Sequence, residues 1–199
     1  MILSVENVVK QYRRRFKDGF RLEASFTVEK PSIVGVMGPN GSGKTTLFEL
    51  ITGSNAPTSG SVMCMGQDVH AVKASQRDRL AIHYHQSYQV RRFARRRPDF
   101  LLESARSDYP IVHLFDEPQF NTQDGYIGFM LDFFRRLRSE GRVVFLCLHP
   151  TERYHLEILR EVCERFVFVE RGRISQFAGL DAACADASVA AYLGGGSIA

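Results

Sequence analysis

Apolar residues along the chain follow two patterns. In residues 1–30 they alternate with polar ones, at Leu3-Val5 and Val8-Val9 and again at Phe20-Leu22 and Phe26-Val28, on either side of a polar stretch from Arg13 to Gly19. Alternation with a period of two marks strands that bury one face, which predicts a small antiparallel lobe. Further on, apolar residues come in near-continuous runs: Ile33 to Met37, four of the five from Ile111 to Phe115, and Val143 to Leu148. Such runs predict strands covered on both faces, as in a parallel sheet. Ser61 to Met65 and Leu80 to Tyr84 read as further strands, and Arg165 to Phe177 as a hairpin turning at Arg171-Gly172.

Helices are expected between these strands. Leu47 to Ile51 follows a glycine-rich turn. Gly128 to Ser139 carries Phe129, Leu131, Phe133, Phe134 and Leu137 apolar against an exposed Arg135, Arg136 and Arg138. Leu156 to Arg165, Pro98 to Ser107 and a closing segment from Asp181 to Tyr192 complete the set, with residues 193–199 as a frayed, flexible tail. Strands alternating with helices predict an α/β fold. No repeat or linker divides the chain, so residues 1–199 read as one domain.

Composition narrows the picture. A chain of 199 residues with 44% apolar and 24% charged content can bury a proper core. No run approaches the ~18 apolar residues of a membrane span. Met1-Ile-Leu-Ser-Val-Glu does not have the form of an export signal, so a cytoplasmic chain is expected. Cys64, Cys147, Cys163 and Cys184 are scattered without a Cys-x-x-Cys pair, which argues for buried thiols rather than zinc or disulfides. The net charge of +4 is concentrated in Arg13-Arg14-Arg15 with Lys17 and in Arg91-Arg92 with Arg95-Arg96-Arg97. Runs of this kind are usually solvated surface, though they also suit phosphates, lipid headgroups or acidic partners. No nucleic-acid partner is expected.

The stretch Gly38-Pro39-Asn40-Gly41-Ser42-Gly43-Lys44-Thr45-Thr46 lies between a predicted strand and a predicted helix. Its Gly-x4-Gly-Lys-Thr spacing is the full P-loop pattern. Backbone N–H groups of such a turn converge on an anion at a helix start, and glycines keep side chains out of the way. Lys44 is expected on the outer phosphates of a nucleotide, Thr45 on Mg²⁺ and Thr46 on the inner phosphate. Asp116 and Glu117 emerge at the C-terminal end of a buried parallel strand, where α/β sheets bind ligands. Asp116 is suited to the Mg²⁺ shell, and Glu117 to orienting and deprotonating a water. His149, ending the next strand, is placed to reach a γ-phosphate. Tyr12, an aromatic among basic residues, suits either stacking on a nucleotide base or a plain surface role. His83 and His85 point to one face of their strand and could bind a metal, but with no third ligand nearby a surface or core role is the stronger reading.

The order Tyr12, Gly38 to Thr46, Gln86, Ile111 to Pro118, His149 and the Glu170-Arg-Gly-Arg hairpin resembles the ATP-binding subunit of ABC transporters, over about residues 1–178. Asn55-Ala-Pro-Thr-Ser-Gly-Ser-Val62 resembles the segment just after the P-loop helix in that family. The resemblance implies ATP and Mg²⁺ as ligands, with Tyr12 stacking on adenine and Glu117 as general base. It makes His149 the switch histidine and Gln86 the glutamine that senses Mg²⁺ and the membrane partner, with Gln89 the alternative for that role. It also implies a transmembrane permease as partner, membrane contact only through that permease, and a place on the cytosolic face of the membrane.

The chain departs from the family's pattern before the Asp-Glu strand. Only 71 residues separate Lys44 from Asp116, and no Leu-Ser-Gly-Gly-Gln signature occurs there; Phe93-Ala-Arg-Arg-Arg97 stands in its place. Residues 87–109 therefore read as a reduced helical subdomain. Gln119 to Asp124 departs from the family's small-polar turn as well. Two readings follow: an ATPase subunit paired with a signature-bearing second ATPase and very slow alone, or a nucleotide-binding regulatory or assembly subunit with little hydrolysis. A small P-loop kinase is a weaker third.

Overall fold

A computed structural model describes residues 1–14, 17–85, 110–118, 126–150 and 152–194. The predicted reduced helical subdomain at 87–109, which includes Gln89, together with Gln86 and Gln119 to Asp124, lies outside the described residues.

Two sheets build the molecule. The smaller is antiparallel and runs in the order β2-β1-β4-β5, from β1 (Leu3–Arg14), β2 (Lys17–Val28), β4 (Ser59–Cys64) and β5 (Gln67–Asp68). The larger is mixed, in the order β10-β9-β3-β8-β7-β6, from β3 (Ile33–Met37), β6 (Ala81–His85), β7 (Val112–Asp116), β8 (Val143–Cys147), β9 (Arg165–Glu170) and β10 (Arg173–Phe177). Strands β9, β3, β8, β7 and β6 are mutually parallel, and β10 closes the edge antiparallel to β9.

The apolar runs have the cause their pattern implied. In β3, Val34 and Val36 face the antiparallel sheet and α1 (Lys44–Thr52), while Ile33 and Met37 face the opposite layer. That layer consists of α3 (Tyr126–Ser139), α4 (Arg153–Val162), α5 (Leu180–Cys184) and α6 (Ala187–Gly194); the four-residue α2 (Ala74–Arg77) lies earlier in the chain. Each central strand thus puts side chains into two cores, and all five residues of β3, β7 and β8 are buried. Burying such side chains contributes about 1.5–3 kcal/mol each, which fixes where the strand ends emerge.

Several boundaries differ from those read in the sequence. Strands β1 and β2 continue through the charged stretch, because cross-strand backbone pairing needs no apolar side chain; Arg13 pairs with Asp18 and Arg14 with Lys17. Helix α3 starts at Tyr126, two residues ahead of Gly128. Helix α4 begins at Arg153 rather than Leu156, since Glu152 and His155 form a reciprocal cap, and it ends before Arg165, which opens β9. The single closing helix is two helices: the Asp186 carboxylate accepts from the N–H groups of Ser188 and Val189 and starts a new one. Helix α6 runs to Gly194, so residues 193 and 194 are helical rather than tail. Cys64, Cys147 and Cys163 are buried free thiols, as expected, whereas Cys184 is only half-buried.

Candidate nucleotide site

Strand β3 ends at Met37 and α1 begins at Lys44, so residues 38–43 form a loop at the C-terminal end of the sheet. Gly38, Gly41 and Gly43 all have positive φ, at 145°, 75° and 113°. The first and last are also hemmed in. A Cβ on Gly38 would stand 2.1 Å from the Val169 carbonyl oxygen, and one on Gly43 would stand 2.7 Å from the Phe20 ring. Gly41 has nothing within 4 Å and lies on the exposed rim with Asn40.

The loop is braced from the neighbouring edge of the sheet. Arg171 and Gly172 turn the β9–β10 hairpin with φ of 49° and 75°, the two left-handed residues of a tight hairpin turn. The Gly172 N–H donates to the Ser42 carbonyl at 3.0 Å, and the Glu23 N–H donates to the Gly172 carbonyl at 2.7 Å. A Cβ at Gly172 would lie 1.8 Å from the Arg21 carbonyl oxygen. The hairpin therefore stitches the loop to β2, a role its sequence does not announce.

Inside the loop, the buried Lys44 ammonium donates to the carbonyls of Gly38 at 2.7 Å and Pro39 at 2.9 Å. An ammonium has three donors, so one is left to meet a phosphate. Ser42 Oγ is buried without a hydrogen-bond partner among the described residues. A buried orphan hydroxyl, a lysine with a donor to spare and a helix N-terminus together fit a phosphoanion. Thr45 and Thr46 lie on the first helical turn, the former exposed and the latter half-buried.

Thr45 Oγ1 donates to Asp116 Oδ2 at 3.0 Å, which brings the two predicted Mg²⁺ ligands together across 71 residues of sequence. Asp116 is buried, and burial alone would raise its carboxyl; hydrogen bonds from His83 and Thr45 outweigh that and hold it below the usual carboxylate range. It is thus an anion at neutral pH, as a Mg²⁺ ligand must be. His83 Nε2 stands 3.3 Å from the same oxygen, and its ring meets Phe48 edge-on. The histidine pair read from the sequence therefore has one member beside the carboxylate. Among the described residues no group of three or more His, Cys, Asp or Glu could hold a metal.

Glu117 follows on left-handed backbone, with φ of 50°, and its N–H donates to the Cys147 carbonyl at 3.0 Å. A non-glycine residue held there is uncommon and points to a functional constraint. His149 lies two residues beyond the end of β8, half-buried, with Nδ1 2.8 Å from the Tyr192 hydroxyl. Tyr12 is 38% exposed on β1. Its hydroxyl accepts from Asn55 Nδ2 at 2.6 Å, the Lys10 ammonium lies 5.2 Å over its ring, and its ring centroid is 6.3 Å from Phe20, the ring that backs Gly43. Three residues at or beside the site were not singled out from sequence: Phe20, Gly172 and Tyr192. Only Gly172 lay within a stretch already read as a turn.

Parallel central strands with a glycine loop and its lysine at their C-terminal ends, and a helix-borne Thr bonded to a strand-end Asp, define a P-loop nucleotide-binding domain. The family model described as ABC transporter matches residues 22–123, just over half of the chain, and the chain belongs to that family. It is similar to the lipopolysaccharide export system ATP-binding protein LptB of Haemophilus influenzae, at 35% identity over 42% of this chain and 33% of that protein. It is also similar to the ATP-binding protein ChvD of Rhizobium radiobacter, at 46% identity over 35% of this chain and 23% of the relative. The energy-dependent translational throttle protein EttA of Escherichia coli (strain K12) matches at 39% identity over 38% of this chain and 13% of its own length. The chain thus matches only a third or less of each of these relatives.

Solved structures share the fold over nearly the whole chain. An ATP-binding cassette of an ABC transporter in its ADP conformation superposes with a TM-score of 0.71 at 17% identity, over 98% of both chains. An ATP-binding subunit of an ABC transporter does so at 0.67 and 19% identity, over 92% of both.

Proposed function

We propose that this chain binds Mg-ATP and supplies one hydrolytic half-site of a membrane ABC transporter, on the cytosolic face beside a permease and a second, signature-bearing ATPase subunit. Residues 1–199 form one ATP-binding domain in this reading, with 87–109 as a reduced helical subdomain. The observation that carries it is the 3.0 Å bond between Thr45 and Asp116 at the lysine end of the loop, with Glu117 next along the chain on strained backbone. Family membership and similarity to a lipopolysaccharide-export ATPase support it.

Lys44 and the amides of residues 41–46 would hold the phosphates, and Tyr12 would stack on the base. Thr45 and Asp116, with Gln86, would hold Mg²⁺, which when bound neutralises phosphate charge and so lowers the barrier to transfer. Glu117 would accept the proton of an attacking water, and His149 would donate to the γ-phosphate. Phe93 to Arg97, standing in place of the signature, offers no glycine pair to grip that phosphate across a dimer. Losing one such donor can cost about 10²–10³ in rate, so the chain alone is a very slow ATPase.

A second reading dispenses with the permease and has ATP set partner affinity. It is favoured by the relative named a translational throttle protein. Phosphate release by the purified chain, alone and with whatever ATPase and permease co-purify with it from membranes, separates the two. Turnover rising by orders of magnitude in the complex supports the transporter reading. Fast hydrolysis by the chain alone, or a chain recovered only from the soluble fraction with no permease, overturns it.

A further inference from the structure

Nothing in the sequence marks Tyr192 as more than an apolar position of a closing helix, yet its side chain reaches the site. Helix α6 is anchored by the buried Val189 and Leu193 and capped by Asp186. Tyr192 is half-buried, with its ring 5.5 Å from Phe168 and 5.7 Å from His149, which it meets at 60°. Its hydroxyl stands 2.8 Å from His149 Nδ1.

Burial pushes the phenol up to about 12, so the hydroxyl keeps its proton at neutral pH. The hydroxyl thus has a proton to donate, and His149 Nδ1, 2.8 Å away, is within reach to accept it. A neutral imidazole carries one proton; if Nδ1 accepts, the proton is on Nε2.

We propose that Tyr192 is a positioning residue: a hydrogen bond from the Tyr192 hydroxyl to His149 Nδ1 locks the imidazole as its Nε2–H tautomer, leaving Nε2 as the donor available to a nucleotide phosphate. The bond ties His149, two residues beyond the end of β8, to the C-terminal helix. Its catalytic consequence rests on the role proposed above for His149. The lock itself does not.

The test uses the full chain labelled with ¹⁵N-histidine, with the His149 resonances identified by their loss in His149→Ala. Above pH 7.5 the native protein shows Nδ1 as the unprotonated nitrogen and Nε2 as the protonated one. Tyr192→Phe keeps the ring against Phe168 and removes only the hydroxyl; the two nitrogen resonances then converge as the tautomers mix. In the same variant phosphate release from Mg-ATP falls about tenfold or more, as a wrong tautomer can cost far more in other enzymes, while the ATP Kd changes less than twofold. An unchanged His149 tautomer in Tyr192→Phe overturns the proposal. A changed tautomer together with phosphate release indifferent to His149→Ala supports the lock and removes the catalytic reading of His149 beneath it.

Discussion

The two halves of the candidate site are built differently. On the side of the loop, position is set by backbone: Gly38 lies against Val169, Ser42 accepts from Gly172, and Lys44 is held by two carbonyls of its own loop. On the side of the strand ends, side-chain contacts add to the backbone: Asp116 bonds Thr45, and His83 stands beside it. Glu117 leaves β7 on a left-handed residue, and His149 is oriented by a tyrosine from the C-terminal helix. Backbone braced on two sheets needs no partner to hold an anion. Carboxylate and imidazole groups at the starts of loops depend on what else packs there, which fits binding in one chain and turnover in an assembly.

Glu117→Gln breaks the comparison most strongly. Removing the proposed general base should lower turnover of the proposed complex by about 10²–10⁴, with Mg-ATP affinity within about twofold of the native chain. Phosphate release and titration calorimetry measure the two sides independently. A fully active Gln variant would mean that this carboxylate does not serve the reacting water.

Gly172→Val attacks the other half without touching a ligand-facing group. A Cβ would meet the Arg21 carbonyl oxygen at 1.8 Å, at φ of 75°, so the turn must open and release Ser42 and Glu23. Overpacking combined with a forbidden backbone region should cost about 3 kcal/mol, seen as a lower urea midpoint at unchanged slope. Stability equal to the native chain would show that the hairpin does not brace the loop.

Much of this division was readable beforehand. The loop lies in a local pattern of nine residues, and the parallel strands announce themselves because burial on two faces demands apolar runs. Asp116 follows from its strand end. What stayed hidden depends on contacts far apart in the chain: Gly172 beside Ser42, Phe20 behind Gly43 and Tyr192 against His149 pair residues whose sequences carry no mark of one another. Local capping also escaped the apolar pattern. Asp186 splits the closing helix, and Glu152 with His155 moves the start of α4 forward by three residues, because caps are polar and a search for apolar stripes passes over them.

Lys44→Ala tests whether the braced loop binds through charge or through backbone alone. The ammonium is a charge-assisted donor, so its loss should weaken ATP at least tenfold, or more than about 1.4 kcal/mol. Calorimetry giving equal affinities would assign binding to the amides alone.

The smallest effect belongs to Tyr12, outside both halves. Stacking of a base on an aromatic contributes about 1–3 kcal/mol when the ring is well enclosed. Tyr12 is 38% exposed, with Lys10 over its ring and Phe20 at 6.3 Å, so the low end applies. Tyr12→Ala should weaken ATP by about 1 kcal/mol, roughly fivefold, while leaving inorganic triphosphate unaffected, since triphosphate has no base to stack. Tyr12→Phe keeps the ring and loses only the bond from Asn55, so it should bind ATP as the native chain does. Equal losses for ATP and triphosphate in Tyr12→Ala would show that the residue acts by supporting Phe20 and the loop behind it. In that case Tyr12 would belong to the braced half of the site rather than to recognition of the base.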